Sequence, residues 1–208
     1  TEMFPYQEDS NMAMMVNKMA LKMHQEGNDV RVFMPRFGFI SERKFQLHEV
    51  IRLSGMNIII NDLDQPLIIK VASLPGERLQ VYFIDNEEYF KRKQYYQDED
   101  NQPFEDNDER AIFFARGVIE TIKKLNWVPD IIHFNGWMAS FIPIYLKNYY
   151  KTDSYFNDTK LVLSVYNEKD LSLGDNITEK LKFDNIENLK ALEEPTIQSF
   201  VIESMNLV

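Results

Sequence analysis

Apolar positions in this chain change period several times, and each change marks an element. Residues from Ser10 to Glu26 repeat at helical spacing, with Ser10 placed to cap the start and Gly27 to end it in a left-handed conformation. Met12, Met15, Met19 and Met23 fall on one face of that helix and predict core packing. Val30-Arg-Val-Phe-Met34 reads as a strand stopped by Pro35. Four short β-branched runs follow: Glu49–Leu53, Asn57–Ile60, Leu67–Val71 and Gln80–Ile84. Gly55, Asn61-Asp62, Pro66 and Pro75-Gly76 separate them at spacings that suit hairpins better than long crossovers. A short helix is predicted from Asn86 to Lys93 and a polar loop from Asp98 to Pro103.

Helical periodicity returns from Asp106 to Leu125, where Ile112, Ala115, Val118, Ile119 and Ile122 form the buried face. Acids at its start and Lys123-Lys124 at its end suit the helix dipole. A strand (Ile131–Phe134), a helix (Met138–Tyr150) and a strand (Lys160–Val165) come next. This alternation predicts an α/β fold: a Rossmann-like parallel sheet with helices on both faces and an inserted β-hairpin region. The tail from Asn176 to Asn206 reads as two or three helices, the last opened by Pro195. One domain over residues 1–208 is expected, with residues 176–208 as its helical tail.

Composition narrows the function classes. The net charge of −10, from 33 acidic and 23 basic residues, argues against a nucleic-acid partner. There is no cysteine, so no disulfide, thiol nucleophile or thiolate metal site. Neither a membrane-spanning run nor a signal peptide is visible, and the expected compartment is the cytoplasm. The chain opens on Thr1 rather than Met, which leaves room for native sequence ahead of it. The sequons at Asn157 and Asn176 read as chance matches.

Candidate chemistry is sparse. Asp98 to Glu109 has acids at the spacing of a calcium loop, but Pro103 stands where that loop needs a glycine turn. His24, His48 and His133 lie on three different elements and predict neither a metal site nor a triad. No glycine-rich phosphate loop occurs. Ligands of open α/β sheets bind beyond the carboxyl ends of the strands. Here those ends are Phe134-Asn-Gly-Trp137 and Tyr166-Asn-Glu-Lys-Asp170, with the Tyr6–Asn11 loop as a third wall. Asn135, Tyr166 and Asn167 would offer neutral hydrogen-bonding groups suited to sugar hydroxyls. Trp137 would stand nearby, unless it packs in the core under its helix.

Four ordered stretches carry a resemblance. They are Gly27-Asn-Asp-Val-Arg-Val-Phe-Met-Pro-Arg-Phe-Gly38, Val81-Tyr-Phe-Ile-Asp-Asn86, the Asp106–Arg116 run, and Trp127-Val-Pro-Asp-Ile-Ile-His133 through Trp137. Over residues 1 to about 167 the chain resembles the bacterial glycogen synthases and plant starch synthases. These are retaining ADP-glucose glucosyltransferases built from two Rossmann-like domains, the GT-B fold. The resemblance is to the first domain alone and points to compact members from Bacteroidetes-like bacteria. It implies glucosyl transfer from ADP-glucose to an α-1,4-glucan, with most of the donor site on a second domain.

The departures from the family are specific. The family's opening lysine aligns with Asp9, ahead of Ser10, and its following aspartate aligns with Met15. Its His-x-His-Asp-Trp becomes His133-Phe-Asn-Gly-Trp137, so Asn135 replaces a histidine and Gly136 the aspartate. Its later His-Asn becomes Tyr166-Asn167. An anion at Asp9 would repel a diphosphate. The expectation is a retained cleft lined by Asp9, Ser10, His133, Asn135, Gly136, Trp137, Tyr166 and Asn167, with no catalytic residue, metal or cofactor. Expected ligands are an α-glucan or ADP-glucose. The alternative to an impaired synthase is a non-catalytic glucan-binding or regulatory subunit that pairs with a protein partner or itself.

Overall fold

Ser10 starts the first helix, α1 (Asn11–Gln25), because its hydroxyl accepts the Ala13 amide at 3.2 Å. The computed structural model describes residues 1–167 and 171–208, so the end of the predicted Tyr166–Asp170 loop lies outside the described residues. The buried face of α1 is Met12, Ala13, Val16 and Ala20, so only the first methionine of the expected stripe is buried. Met15 is 57% exposed and Met23 44%. The helix is turned toward its small residues, which allow a closer approach to the core than four long side chains would.

β1 (Arg31–Pro35) follows, then a single turn, α2 (Glu42–Phe45), and the two-residue strand β2 (His48–Glu49). β3 (Met56–Ile60) and β4 (Leu63–Ser73) form a hairpin through Asn61-Asp62, both at positive φ. Asn and Asp tolerate that conformation, and a two-residue loop needs it. Pro66, expected to separate strands, lies inside β4 opposite Asn57. It is tolerated because β5 (Gln80–Asp85) joins β4 only from Ile68 onward, leaving one flank of Pro66 without a strand. The predicted run Glu49–Leu53 is mostly turn, with Ile51 exposed. The predicted helix at Asn86–Lys93 shortens to α3 (Glu87–Phe90), capped by the Asn86 side chain.

α4 (Asn107–Lys124) is the central helix, and Ala111–Ile119 is buried along its whole length. Gly117 lets it meet the sheet closely, since a Cβ there would fall 2.8 Å from the Ile84 side chain. β6 (Ile131–Asn135) leads into a 3-10 turn (Trp137–Ser140) and then α5 (Phe141–Lys147), shorter than the predicted Met138–Tyr150 helix. β7 (Lys160–Ser164) runs parallel to β6. In the tail, α6 (Ile177–Phe183) and α7 (Ile197–Met205) are joined through a 3-10 turn at Lys190–Leu192. Thr196, just after Pro195, caps α7, and Phe200 stacks on Phe141 at 4.8 Å.

The strands form two groups. One has the order β1-β5-β4-β2, with β3 on β4, and the other is β6-β7. β1/β5 and β6/β7 are parallel, and the inserted hairpin strands are antiparallel. Among the described residues, no helix is long and apolar enough to cross a membrane.

The tail is tied to α4 by buried charge. Lys180 on α6 lies 2.7 Å from Asp108 and 2.9 Å from Glu109, and Asp108 is fully buried. Burial pushes the Asp108 carboxyl up to about 6, although the Lys180 hydrogen bond opposes it. A carboxyl raised on folding stabilises the fold below its unfolded pKa, and that contribution is lost as pH rises through the folded value. Thermal stability is therefore expected to fall between about pH 4 and pH 6 through this group. Asp108→Asn should flatten that part of the profile in thermal melts across the window. An unchanged profile in the variant would remove Asp108 as the cause.

Candidate functional site

Gly38 fixes one wall of the cleft. A Cβ there would overlap the Lys91 carbonyl oxygen at 1.9 Å, so only glycine admits the 91–97 segment against β1's outgoing chain. The Gly38 amide donates to the Arg92 carbonyl at 2.9 Å. Phe37, Phe39, Tyr95 and Tyr96 pack there, with Phe39 and Tyr95 centroids 4.3 Å apart. Tyr96 meets Trp137 edge-on at 5.2 Å, which joins this wall to the end of β6. Between them lies an open cleft of about 500 Å³, lined by Glu2, Met12, Lys93, Gln94, Tyr95, Tyr96, Gln97, Asp98, Asn101, Trp137 and Leu171.

Of the residues expected at the site, Asn135, Gly136, Trp137 and Tyr166 come together. The Tyr166 hydroxyl donates to Asn135 Oδ1 at 2.8 Å. The Asn135 carbonyl accepts the Thr1 hydroxyl at 3.2 Å. Trp137 is 2% exposed, so it belongs to the core under its helix while lining the cleft. Its Nε1 is buried without a hydrogen-bond partner among the described residues. Gly136 sits at φ +88 and ψ 153, a region open essentially to glycine alone. A Cβ there would lie 2.2 Å from Thr1 Oγ1 and 3.2 Å from Met12 Sδ. The space a side chain at 136 would use is already filled.

The other expected residues have different work. His133 Nε2 lies 2.8 Å from Ser164 Oγ across the β6/β7 pair, and burial lowers its pKa, which keeps the ring neutral at neutral pH. Ser10 is committed to capping α1, and its hydroxyl also donates to Glu2. Asp9 and Asn167 are exposed. Asp9 does act on the cleft: the Tyr95 hydroxyl is pushed well up, first by burial and then by the charges of Glu2 and Asp9.

Two cations at the sheet's carboxyl edge, Lys70 and Arg36, are already paired. Asp85, 2% exposed at the end of β5, holds Lys70 at 2.8 Å and Arg36 at 3.2 Å. Glu42 takes Lys70 at 2.6 Å. In the acidic run, Asp98 accepts the amides of Asp100 and Gln102 and closes its own turn, while Glu109 accepts the Tyr89 hydroxyl. Charge near the cleft is thus mainly negative, and the lining is aromatic and amide-rich. That suits a neutral polyhydroxy ligand better than a diphosphate.

Sequence reasoning missed Lys93, Gln94, Tyr95, Tyr96, Gln97, Asn101 and Leu171. A signal was present: a tyrosine doublet flanked by glutamines at the edge of a polar loop. Its meaning depends on the Gly38 contact, which lies more than fifty residues earlier in the chain.

Three comparisons with known proteins agree with this geometry. The family profile described as "Starch synthase catalytic domain" matches residues 1–203. The glycogen synthase of Chlorobium limicola is 40% identical over 167 residues, covering 80% of this chain and 34% of that protein. That of Chlorobium phaeobacteroides is 38% identical over the same shares. The chain thus spans about a third of the length of these relatives. A solved structure, the catalytic domain of starch synthase IV from Arabidopsis thaliana bound to ADP and acarbose, shares the fold. It has a TM-score of 0.66 and 18% identity, and covers 78% of this chain and 32% of that one. With the family profile spanning nearly the whole chain, this protein belongs to the glycogen and starch synthase family.

Proposed function

We propose that this domain holds an α-glucan in the Tyr95–Tyr96–Trp137 cleft and does not transfer glucose by itself. The observation that carries the reading is the filled position at Gly136. Where the family resemblance puts an aspartate, the backbone is in a glycine-only conformation, and Thr1 and Met12 occupy the side-chain space. Losing one preorganised polar group at a developing charge costs on the order of 10²–10³ in rate. The cleft itself stays open, with rings to lie against sugar faces and amides of Gln94, Gln97 and Asn101 for hydroxyls. A cytoplasmic location is part of this reading.

Affinity electrophoresis in glycogen-containing gels tests it. The chain should be retarded, and Tyr95→Ala should weaken retention about tenfold, the loss of about 1.4 kcal/mol of ring contact. Trp137→Phe keeps an aromatic ring in the core, with some loss of volume, and removes the indole donor, and should weaken retention less. Migration unaffected by glycogen, or retention equal in parent and Tyr95→Ala, would defeat the proposal.

A second reading has its own support. The Chlorobium relatives are named glycogen synthases and are about three times longer than the matched region. On this reading the chain contributes one wall of a transferase completed by a second domain. Glucose incorporation from ADP-glucose into a glycogen primer by the full-length native polypeptide would establish it, and its absence beside an active relative would exclude it.

A further inference from the structure

The cleft lining draws on two stretches far apart in the chain, Lys93–Asp98 and Leu171, and one side chain ties them together. Asn107, in the first turn of α4, is fully buried. Its Nδ2 donates to the Tyr96 carbonyl at 3.0 Å and to the Ser172 carbonyl at 3.3 Å. Its Oδ1 accepts Arg110 Nη1 at 2.9 Å. The next residue repeats the link through the main chain, where the Asp108 amide donates to the Leu173 carbonyl at 2.9 Å. The Tyr96 carbonyl also accepts the Phe104 amide at 3.0 Å, which ties the end of the polar loop to the same wall.

This arrangement dictates the residue type. A carboxamide carries two N–H donors and a carbonyl oxygen on one planar group. Here both donors go to main-chain carbonyls, one on each stretch, and the oxygen goes to Arg110. A carboxylate of the same shape offers acceptors only and would set its oxygen against both carbonyls. Arg110 is fixed in turn. It is fully buried, and its Nε donates to the Tyr89 carbonyl at 2.8 Å. Its guanidinium lies 5.3 Å from the Phe104 ring centroid and 5.9 Å from that of Tyr96. A guanidinium has donors only, so it selects the Asn107 oxygen and turns the amide protons toward the two walls. The carbonyls they hold belong to Tyr96, which meets Trp137 edge-on, and to Ser172, which adjoins Leu171.

We propose that Asn107 is a positioning residue of the cleft: its amide sets the separation of the Tyr95–Tyr96 wall from the Leu171–Ser172 wall, and with it the fit of a glucan between them. A binding group held by a buried, fully bonded partner loses little freedom when its ligand arrives. The fit to a glucan rests on the function proposed above, whereas the spacing of the walls does not.

Asn107→Asp keeps the contact with Arg110 and turns the two donors into an acceptor. Asn107→Ser, too short to span both carbonyls, serves as the second variant should a buried carboxylate prevent folding. The chain has two tryptophans, so a Trp127→Phe background leaves Trp137 as the sole emitter. Leu79→Ala is the comparison for lost stability alone, because Leu79 is fully buried just ahead of β5, at the opposite edge of the sheet. All chains are measured well below their melting temperatures.

Without ligand, both Asn107 variants should shift Trp137 emission to the red and make it easier to quench with acrylamide, as water enters between the walls. In glycogen gels their retention should weaken about tenfold. Leu79→Ala should match the parent in both readouts. Parent-like emission in the Asn107 variants, or the same shift in Leu79→Ala, would overturn the proposal. So would a shifted emission with retention equal to a parent that glycogen does retard. A parent that glycogen does not retard would defeat the glucan reading and the fit that rests on it, and the emission would still decide the spacing of the walls.

Discussion

Asp184→Ala is expected to cost about 3–5 kcal/mol, the penalty for leaving a buried charge without its partner. Arg116 is 9% exposed, and its Nη1 reaches Asp184 Oδ1 at 3.1 Å and the Ile59 carbonyl at 2.6 Å. The fully buried Tyr145 donates to Asp184 Oδ2 at 2.6 Å. Asp184 ends α6, so this one carboxylate ties the tail to α4, α5 and β3. Removing it leaves the guanidinium bonded to the Ile59 carbonyl and the Tyr149 hydroxyl but without a counter-charge, and takes the acceptor from the Tyr145 hydroxyl. In a domain of this size the melting temperature should drop by about 10 °C. Asp184→Asn keeps an acceptor for Tyr145 and should lose less. Denaturant melts of the parent and both variants measure the difference. A midpoint for Asp184→Ala within about 2 °C of the parent would show that the cluster carries little stability.

Gly136→Asp is expected to destabilise the fold by about 3 kcal/mol and to restore no transfer activity. Two costs add. The backbone at φ +88 and ψ 153 is strained for any side chain, and the new Cβ meets Thr1 Oγ1 and Met12 Sδ. Thr1 is a short side chain and could shift, but the backbone strain would remain. Gly136→Ala should therefore lose nearly as much, since it shares the backbone cost and carries no carboxylate. Thermal melts and an ADP-glucose incorporation assay on both variants separate stability from chemistry. Glucose transfer by Gly136→Asp would show the cleft to be one substitution away from an active site, and would overturn the expectation that Thr1 and Met12 bar a working side chain at this position.

The two positions differ in how far the sequence announced them. Gly136 was legible as a departure from His-x-His-Asp-Trp, but nothing local shows that Thr1 and Met12 fill the vacated volume. The Arg116–Asp184 pair was not legible at all. Its members are 68 residues apart, and an aspartate after a helix reads as solvent-exposed until the tail folds back. The methionines of α1 show the reverse error. Their spacing predicts a shared face, and they share one, yet of the four only Met12 is buried, beside Ala13, Val16 and Ala20. Periodicity shows that a helix has a preferred side and leaves its rotation to the surface that receives it.

By itself the sequence determined the order and kind of the main elements, because strand and helix periods are local and caps such as Ser10, Asn86 and Thr196 act within a few residues. It also determined the family, through four separated stretches that keep their order. Only the tertiary structure decided which of those residues meet. The Gly38 contact brings Tyr95 and Tyr96 to Trp137, Asp85 holds Lys70 and Arg36 as internal pairs, and the sheet is left divided between β1 and β6. Contacts between distant segments depend on packing geometry and burial, and no spacing along the chain encodes either.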